Sequence, residues 1–214
     1  LIPKLLDPDL FNWGTLPVST AAKSHPDYSE SEGIGGASNF GMIWILRNMP
    51  IIDGLMDIGR HDLATELAWQ TIKAFNGRYN EFLSPRTGEP MGTSGYCYAA
   101  SLYAQAIIEY LFGIDYDLVK GQLRIMPHVP DELANHEFSI EGLILPADGD
   151  VRLSVRVRPE EKGGRSIRVE ISGEPPKGLD LAVLQAQDAK EPDPQPTALP
   201  ENSPFEVTRS LSGG

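Results

Sequence analysis

The sequence predicts an α+β chain, helical in its first half and β-rich in its second. Three observations carry this. Apolar residues recur at the helical period as far as Leu111, the period drops to two beyond Gly113, and the alternating runs that follow are separated by Pro- and Gly-bearing turns.

Taken in order, the apolar stretch 41–58 (Met42, Ile43, Trp44, Ile45, Leu46, Ile51, Ile52, Leu55, Met56) predicts a first long helix, with Pro50 starting or kinking it because proline lacks an N–H. Being apolar nearly all round, it is the helix expected to need a further partner. Asp62 is placed to cap a second helix, whose face Leu63, Leu67, Ala68, Ile72 and Phe75 is closed by Asn76-Gly77. Ala99, Leu102, Tyr103, Ala106, Ile107 and Tyr110 predict a third over 98–111, stopped by Gly113. The Gly-rich stretches 29–40 and 78–95 read as long loops, the usual seat of function.

Alternation over 122–126, 138–145, 151–157, 166–171 and 181–184 predicts at least five short strands, with 205–208 as a last edge strand. A domain junction is expected between Gly113 and Gly121, which divides the chain into domains 1–115 and 116–214. The proline-rich stretch 191–204 reads as an extended loop within the second.

With 214 residues and 41% apolar content the chain is long enough to bury a core. Its net charge of −12 excludes nucleic acid and anionic membrane as main partners, because phosphates are repelled. No apolar run reaches membrane-spanning length. The single cysteine, Cys97, excludes an internal disulfide and any cysteine-based zinc site, and is compatible with a reducing cytoplasm. The four histidines (His25, His61, His128, His136) are scattered without metal-ligand spacing. The run 33–38 (Gly-Ile-Gly-Gly-Ala-Ser) follows no strand and has Ser38 where a dinucleotide loop needs its third glycine. No cofactor is expected.

The chemistry-bearing stretch is 79–92, Tyr79-Asn80-Glu81-Phe82-Leu83-Ser84-Pro85-Arg86-Thr87-Gly88-Glu89-Pro90-Met91-Gly92. Sugar hydrolysis needs two carboxylates across the scissile bond and aromatic platforms for the ring. Glu81, flanked by Tyr79 and Phe82, has that character. Among the loop carboxylates Glu89 is its rival, with a turn-forming role as the plainer reading, and Glu30 and Glu32 read as solvated loop residues. Asn39, Phe40, Trp44 and Tyr96 are further candidates to line a sugar pocket.

The same stretch resembles the signature of glycoside hydrolase family 63-type enzymes, which include mannosylglycerate and glucosylglycerate hydrolases. The resemblance spans roughly residues 30–130 and is specific only within 79–92; Leu83 and Ser84 stand where the family has an aromatic residue and Asp. It implies that residues 1–115 are the C-terminal helices of an (α/α)6 toroid and that a β-sandwich-like domain follows. It implies that Glu81 is the general base of an inverting hydrolase acting on an α-linked gluco- or manno-configured sugar. The general acid, an Asp in that family, is then expected upstream of this chain. The opening Leu1-Ile2-Pro3, without an initiator methionine, fits a chain that begins inside a longer protein. The expected partners are a carbohydrate and that upstream part. A non-catalytic carbohydrate-binding or structural module, and a lyase or phosphorylase on the same scaffold, remain the competing classes.

Overall fold

The computed structural model describes residues 1–30, 40–146, 150–160, 164–174, 179–183, 197–198 and 205–211. The chain is α+β, and its contacts divide it into two compact units, Leu1–Leu111 and Phe112–Gly214.

The first unit opens with two single-turn helices, α1 (Ile2–Leu5) and α2 (Pro8–Phe11), and continues with α3 (Ile45–Asp57) and α4 (His61–Phe75). A β-hairpin follows, β1 (Asn80–Leu83) and β2 (Pro90–Ser94), and then α5 (Cys97–Gln105), which widens into a π-helical turn, Ala106–Leu111. Helix α3 carries Pro50 inside it rather than at its start. Pro50 is exposed and the helix turns its other face inward, burying Ile45, Asn48, Met49, Ile52 and Leu55. Proline's missing amide bond therefore falls on the wet side of the helix, where water can serve the freed carbonyl.

Asn48 is fully buried, yet it is satisfied. Its side-chain amide accepts from Val18 N and donates to Val18 O, both at 2.9 Å. It thus gives the extended N-terminal segment a substitute strand partner, as buried amides require. The π turn is tied back to α3 by Tyr110, whose hydroxyl donates to Asp53 Oδ1. Burial, reinforced by that carboxylate, pushes the Tyr110 phenol well above its usual range.

The sequence pattern puts Asp62 at the cap of α4, but Arg60 is the capping residue and Asp62 sits in the first helical turn. There it takes two hydrogen bonds from the Arg60 guanidinium, at 2.9 and 2.7 Å. Arg60 is the leading cause of a carboxyl pKa lowered to about 2. A carboxyl depressed in the folded state stabilises the protein above its unfolded pKa of about 3.9, and that contribution is lost as pH falls through about 2. Both side chains face solvent, so the effect is small and salt-screened. Asp62→Asn should melt slightly below the parent protein at pH 7, with the gap closing between about pH 4 and pH 2; a gap unchanged across that range would exclude the Arg60 pairing as its source.

Apolar surface is exposed on α5 as well as at the end of α3, where Ile58 is 60% exposed. Of the nine residues of α5 only Ala99 is buried, and Tyr98 is 55% exposed.

In the second unit, β3 (Ile114–Asp117), β4 (Gln122–Ile125), β8 (Asp180–Val183) and β9 (Thr197–Ala198) form a sheet in the order β3-β4-β8-β9, with β8 parallel to β4. A second sheet, antiparallel throughout, runs β10-β7-β6-β5, from β5 (Phe138–Ile144), β6 (Arg152–Pro159), β7 (Arg165–Ser172) and β10 (Phe205–Leu211). Leu153, Val155 and Val157 of β6 and Ile167, Val169 and Ile171 of β7 are essentially inaccessible. The alternate residues carry cross-strand ion pairs, Arg158–Glu137 (2.7 Å), Arg156–Glu141 (3.0 Å) and Arg168–Glu206 (2.8 Å). A one-residue slip would exchange these faces, so the alternation fixes the register. The proline-rich stretch 191–204 lies outside the described residues except for β9.

Candidate functional site

Residues 78–95 are a β-hairpin, not a loop. Strand β1 buries Phe82 and Leu83, and Leu83 pairs on its outer side with Ile43 through backbone bonds of 3.0 and 2.9 Å. The segment before α3 thus serves as a third, bridging backbone. The hairpin turn is organised by Ser84, whose hydroxyl accepts from the amides of Arg86 and Thr87 (3.3 Å each) while its backbone bonds Gly88 and Glu89. Ser84 stands where the resembling signature has Asp, and both residue types make this side-chain-to-backbone turn. Glu89 serves the turn through its backbone, its carbonyl accepting from Ser84 N at 2.8 Å, and its side chain is exposed. From α4's end, Arg78 donates to the Gly88 carbonyl at 3.0 Å and anchors the turn.

Glu81 occupies an irregular position on β1. The register runs Asn80↔Ser94 and then Phe82↔Met91, so Glu81 alone faces two residues, Gly92 and Thr93. Gly92 has φ +70°, which makes this a G1 bulge, with a left-handed glycine as its first residue. Glu81 is half-buried, and its Oε2 accepts from the Thr93 hydroxyl at 3.3 Å.

Four tyrosines lie on the hairpin base and the helix that follows it, Tyr79, Tyr96, Tyr98 and Tyr103. Tyr96 N bonds the Tyr79 carbonyl (2.8 Å) and closes the base of the hairpin. Desolvation first, and then the negative charge of Glu81, raise the Tyr96 phenol pKa. Tyr96 contacts Tyr98 with ring centroids 5.6 Å apart, and Tyr79 meets Tyr103 edge-on at 5.6 Å. Tyr79 is 38% exposed.

Other expected site residues are placed differently. Phe82 is 7% exposed and packs edge-on against Trp44 at 5.3 Å, supporting the strand rather than offering a face to a ligand. Trp44 is half-buried at the start of α3, with the Arg47 guanidinium 5.4 Å from its ring. Phe40 stacks on His25 at 5.2 Å. Asn39 and the run 33–38 lie outside the described residues. Sequence reasoning missed Thr93, Gly92 and Tyr98. A glycine interrupting a short strand is a signal for a bulge, and it was available in Met91-Gly92-Thr93.

Among the described residues no helix is long and apolar enough to cross a membrane. No protein-family model matches the chain, and no curated protein matches it. Among solved structures it is similar to a GH63 mannosylglycerate hydrolase from Thermus thermophilus in complex with glucose. That match has 22% identity and a TM-score of 0.35, over 42% of this chain and 22% of that one. The same hydrolase in complex with Tris and D-glycerate matches at 22% identity and TM-score 0.36, over 46% and 23% of the two chains. An uncharacterized conserved protein from the same organism matches at 20% identity and TM-score 0.37, over 42% and 22%. The chain therefore spans about a fifth of the length of the structures it matches.

Proposed function

We propose that this chain is the part of a glycoside hydrolase that carries its water-activating base, Glu81. The observation that carries the reading is the hairpin itself: a half-buried carboxylate set opposite a G1 bulge, in a hairpin whose base is closed by the Tyr96–Tyr79 backbone bond. A base needs a fixed carboxylate with one edge open to water, and a sugar needs rings to lie against. The fourteen-residue signature that runs through this hairpin supports the same role.

On this reading the first unit is the C-terminal segment of an (α/α)6 toroid and the two sheets of the second unit make a sandwich. The substrate is an α-linked gluco- or manno-configured glycoside. The general acid is an Asp supplied by upstream sequence, about 6.5–9.5 Å from Glu81, so that a water fits between them and the reaction inverts the anomeric centre. The under-buried surface of α5 supports an upstream partner for the first unit, since helices of a bundle bury their apolar stripes against neighbours.

The test is stereochemical. Mannosylglycerate and glucosylglycerate are offered to the intact enzyme, and the sugar is read by NMR before mutarotation. The β-anomer is expected first from an α-linked substrate; the α-anomer would instead make Glu81 a nucleophile. The exposed rings of Tyr79 and Tyr98 favour one second reading, a module that binds sugar without cleaving it. Binding with no release of sugar would select it.

A further inference from the structure

We infer that Thr93 is a positioning residue for Glu81, and that the Gly92–Thr93 bulge exists to hold that carboxylate in one orientation. The inference rests on the reading of Glu81 as the base, and it is carried by local geometry.

In a regular two-stranded hairpin the residue facing Glu81 would be a single one, with its side chain roughly beside the carboxylate stem. Here two residues share that place, and they divide the work. Gly92 makes room. A Cβ on it would stand 3.1 Å from Glu81 Cβ, 3.3 Å from Glu81 Oε2 and 2.8 Å from Phe82 Cδ2. The carboxylate therefore lies folded along the backbone of Gly92, in space that any other residue would occupy. Thr93, displaced by the extra residue, brings its hydroxyl to Oε2. At 3.3 Å the bond is longer than the usual O–H···O range of about 2.5–3.0 Å, so it orients the carboxylate more than it stabilises it. The hydroxyl donor is compatible with an ionised carboxylate, and it engages one oxygen. Among the described residues the bond from Thr93 engages Oε2, and on this inference Oε1 is the oxygen that takes the water. Bulges that re-aim a side chain beside a site are a recurrent use of this motif.

The consequence is a division of roles that substitution can separate. Thr93→Val keeps the shape and removes the donor; Thr93→Ser keeps the donor. Thr93 is exposed, so neither change empties the core. Thr93→Ala serves as a second donor-less variant should the valine disturb the hairpin.

The first readout needs no catalysis. The Tyr96 phenol is raised by desolvation first and then by the charges of Glu81, Tyr98 and Cys97, so its titration is a probe of where the Glu81 carboxylate stands. With 13Cζ-labelled tyrosine, Glu81→Gln should lower the Tyr96 titration midpoint in the parent protein, because a neighbouring negative charge no longer opposes the phenolate. In the Thr93→Val background the carboxylate is free to swing, and the same change should shift the midpoint by a clearly different amount, roughly half the parent effect or less. Thr93→Ser should restore the parent value. Equal shifts in all three backgrounds would overturn the positioning role.

The second readout is kinetic. In the intact enzyme on its glycerate glycoside, Thr93→Val should lower kcat about tenfold with KM changed less than about twofold, and Thr93→Ser should recover most of it. An inactive Glu81→Gln beside an unaffected Thr93→Val sinks the positioning role alone. A fully active Glu81→Gln sinks the base assignment, while the tyrosine titration still reports on the bulge.

Discussion

Glu81→Gln in the intact enzyme should lower turnover by about 10²–10⁴ and leave substrate binding nearly unchanged. The amide keeps the size and much of the hydrogen bonding of the carboxylate. Thr93 can still donate to the amide oxygen, and the Gly92 backbone still has room for the group. On the proposed reading, what is lost is a group able to take a proton from water while the glycosidic bond breaks. An interaction made only in the transition state appears in kcat and not in KM. Glu89→Gln is the matched control. Its side chain is exposed and the turn uses its backbone, so activity should stay within about twofold of the parent. If the two substitutions act alike, the hairpin is not the catalytic element. Full activity in Glu81→Gln would end the assignment.

The largest expected effect on stability falls on a residue with no side chain. Gly113→Ala should destabilise the second unit by about 3 kcal/mol or more, read as a lowered urea midpoint of the sheet signal in circular dichroism. Gly113 has φ +59°, a conformation L-residues rarely adopt. Its carbonyl accepts from Met126 N at 2.9 Å, which extends the β3–β4 pairing by one step. A methyl group there would overlap the Met126 carbonyl itself. Backbone cannot yield as a flexible side chain can, so either the pairing opens or the turn into β3 is rebuilt. Gly54→Ala makes the opposite case. It lies inside α3 with nothing near a new Cβ, and alanine should stabilise the helix by about 0.5–1 kcal/mol. Similar midpoints for Gly113→Ala and the parent protein would show that the strand entry tolerates a side chain.

Much of the secondary structure was legible from local pattern alone. The alternation over 151–157 and 166–171 predicts strands whose even and odd residues face opposite ways, and β6 and β7 do so with Leu153, Val155, Val157, Ile167, Val169 and Ile171 all inaccessible. Period two is a property of the extended chain, so no tertiary knowledge is required. The same holds for α4, whose apolar face and Asn76-Gly77 stop are local signals. Local pattern also makes Glu81 a candidate, as a carboxylate beside aromatic residues in a stretch with a specific signature.

Other features depended on neighbours distant in sequence. Pro50 reads as the start or a kink of a helix, but α3 runs through it because packing on the opposite face outweighs one missing hydrogen bond. The stretch 78–95 reads as loop because its strands are short, polar and broken by glycines. It becomes a hairpin because Leu83 pairs with Ile43, far earlier in the chain, and because Ser84 ties the turn. Phe82 and Tyr79 look equivalent in sequence, one residue to either side of the Asn80-Glu81 pair. The fold buries Phe82 against Trp44 and leaves Tyr79 open, since burial depends on what packs above a residue and not on its own type. Thr93 is the clearest instance. A threonine among Met91, Gly92 and Ser94 carries no signal of its own. It reaches the carboxylate because the bulge sets two residues of β2 against one of β1, a count that exists only once the strands have paired.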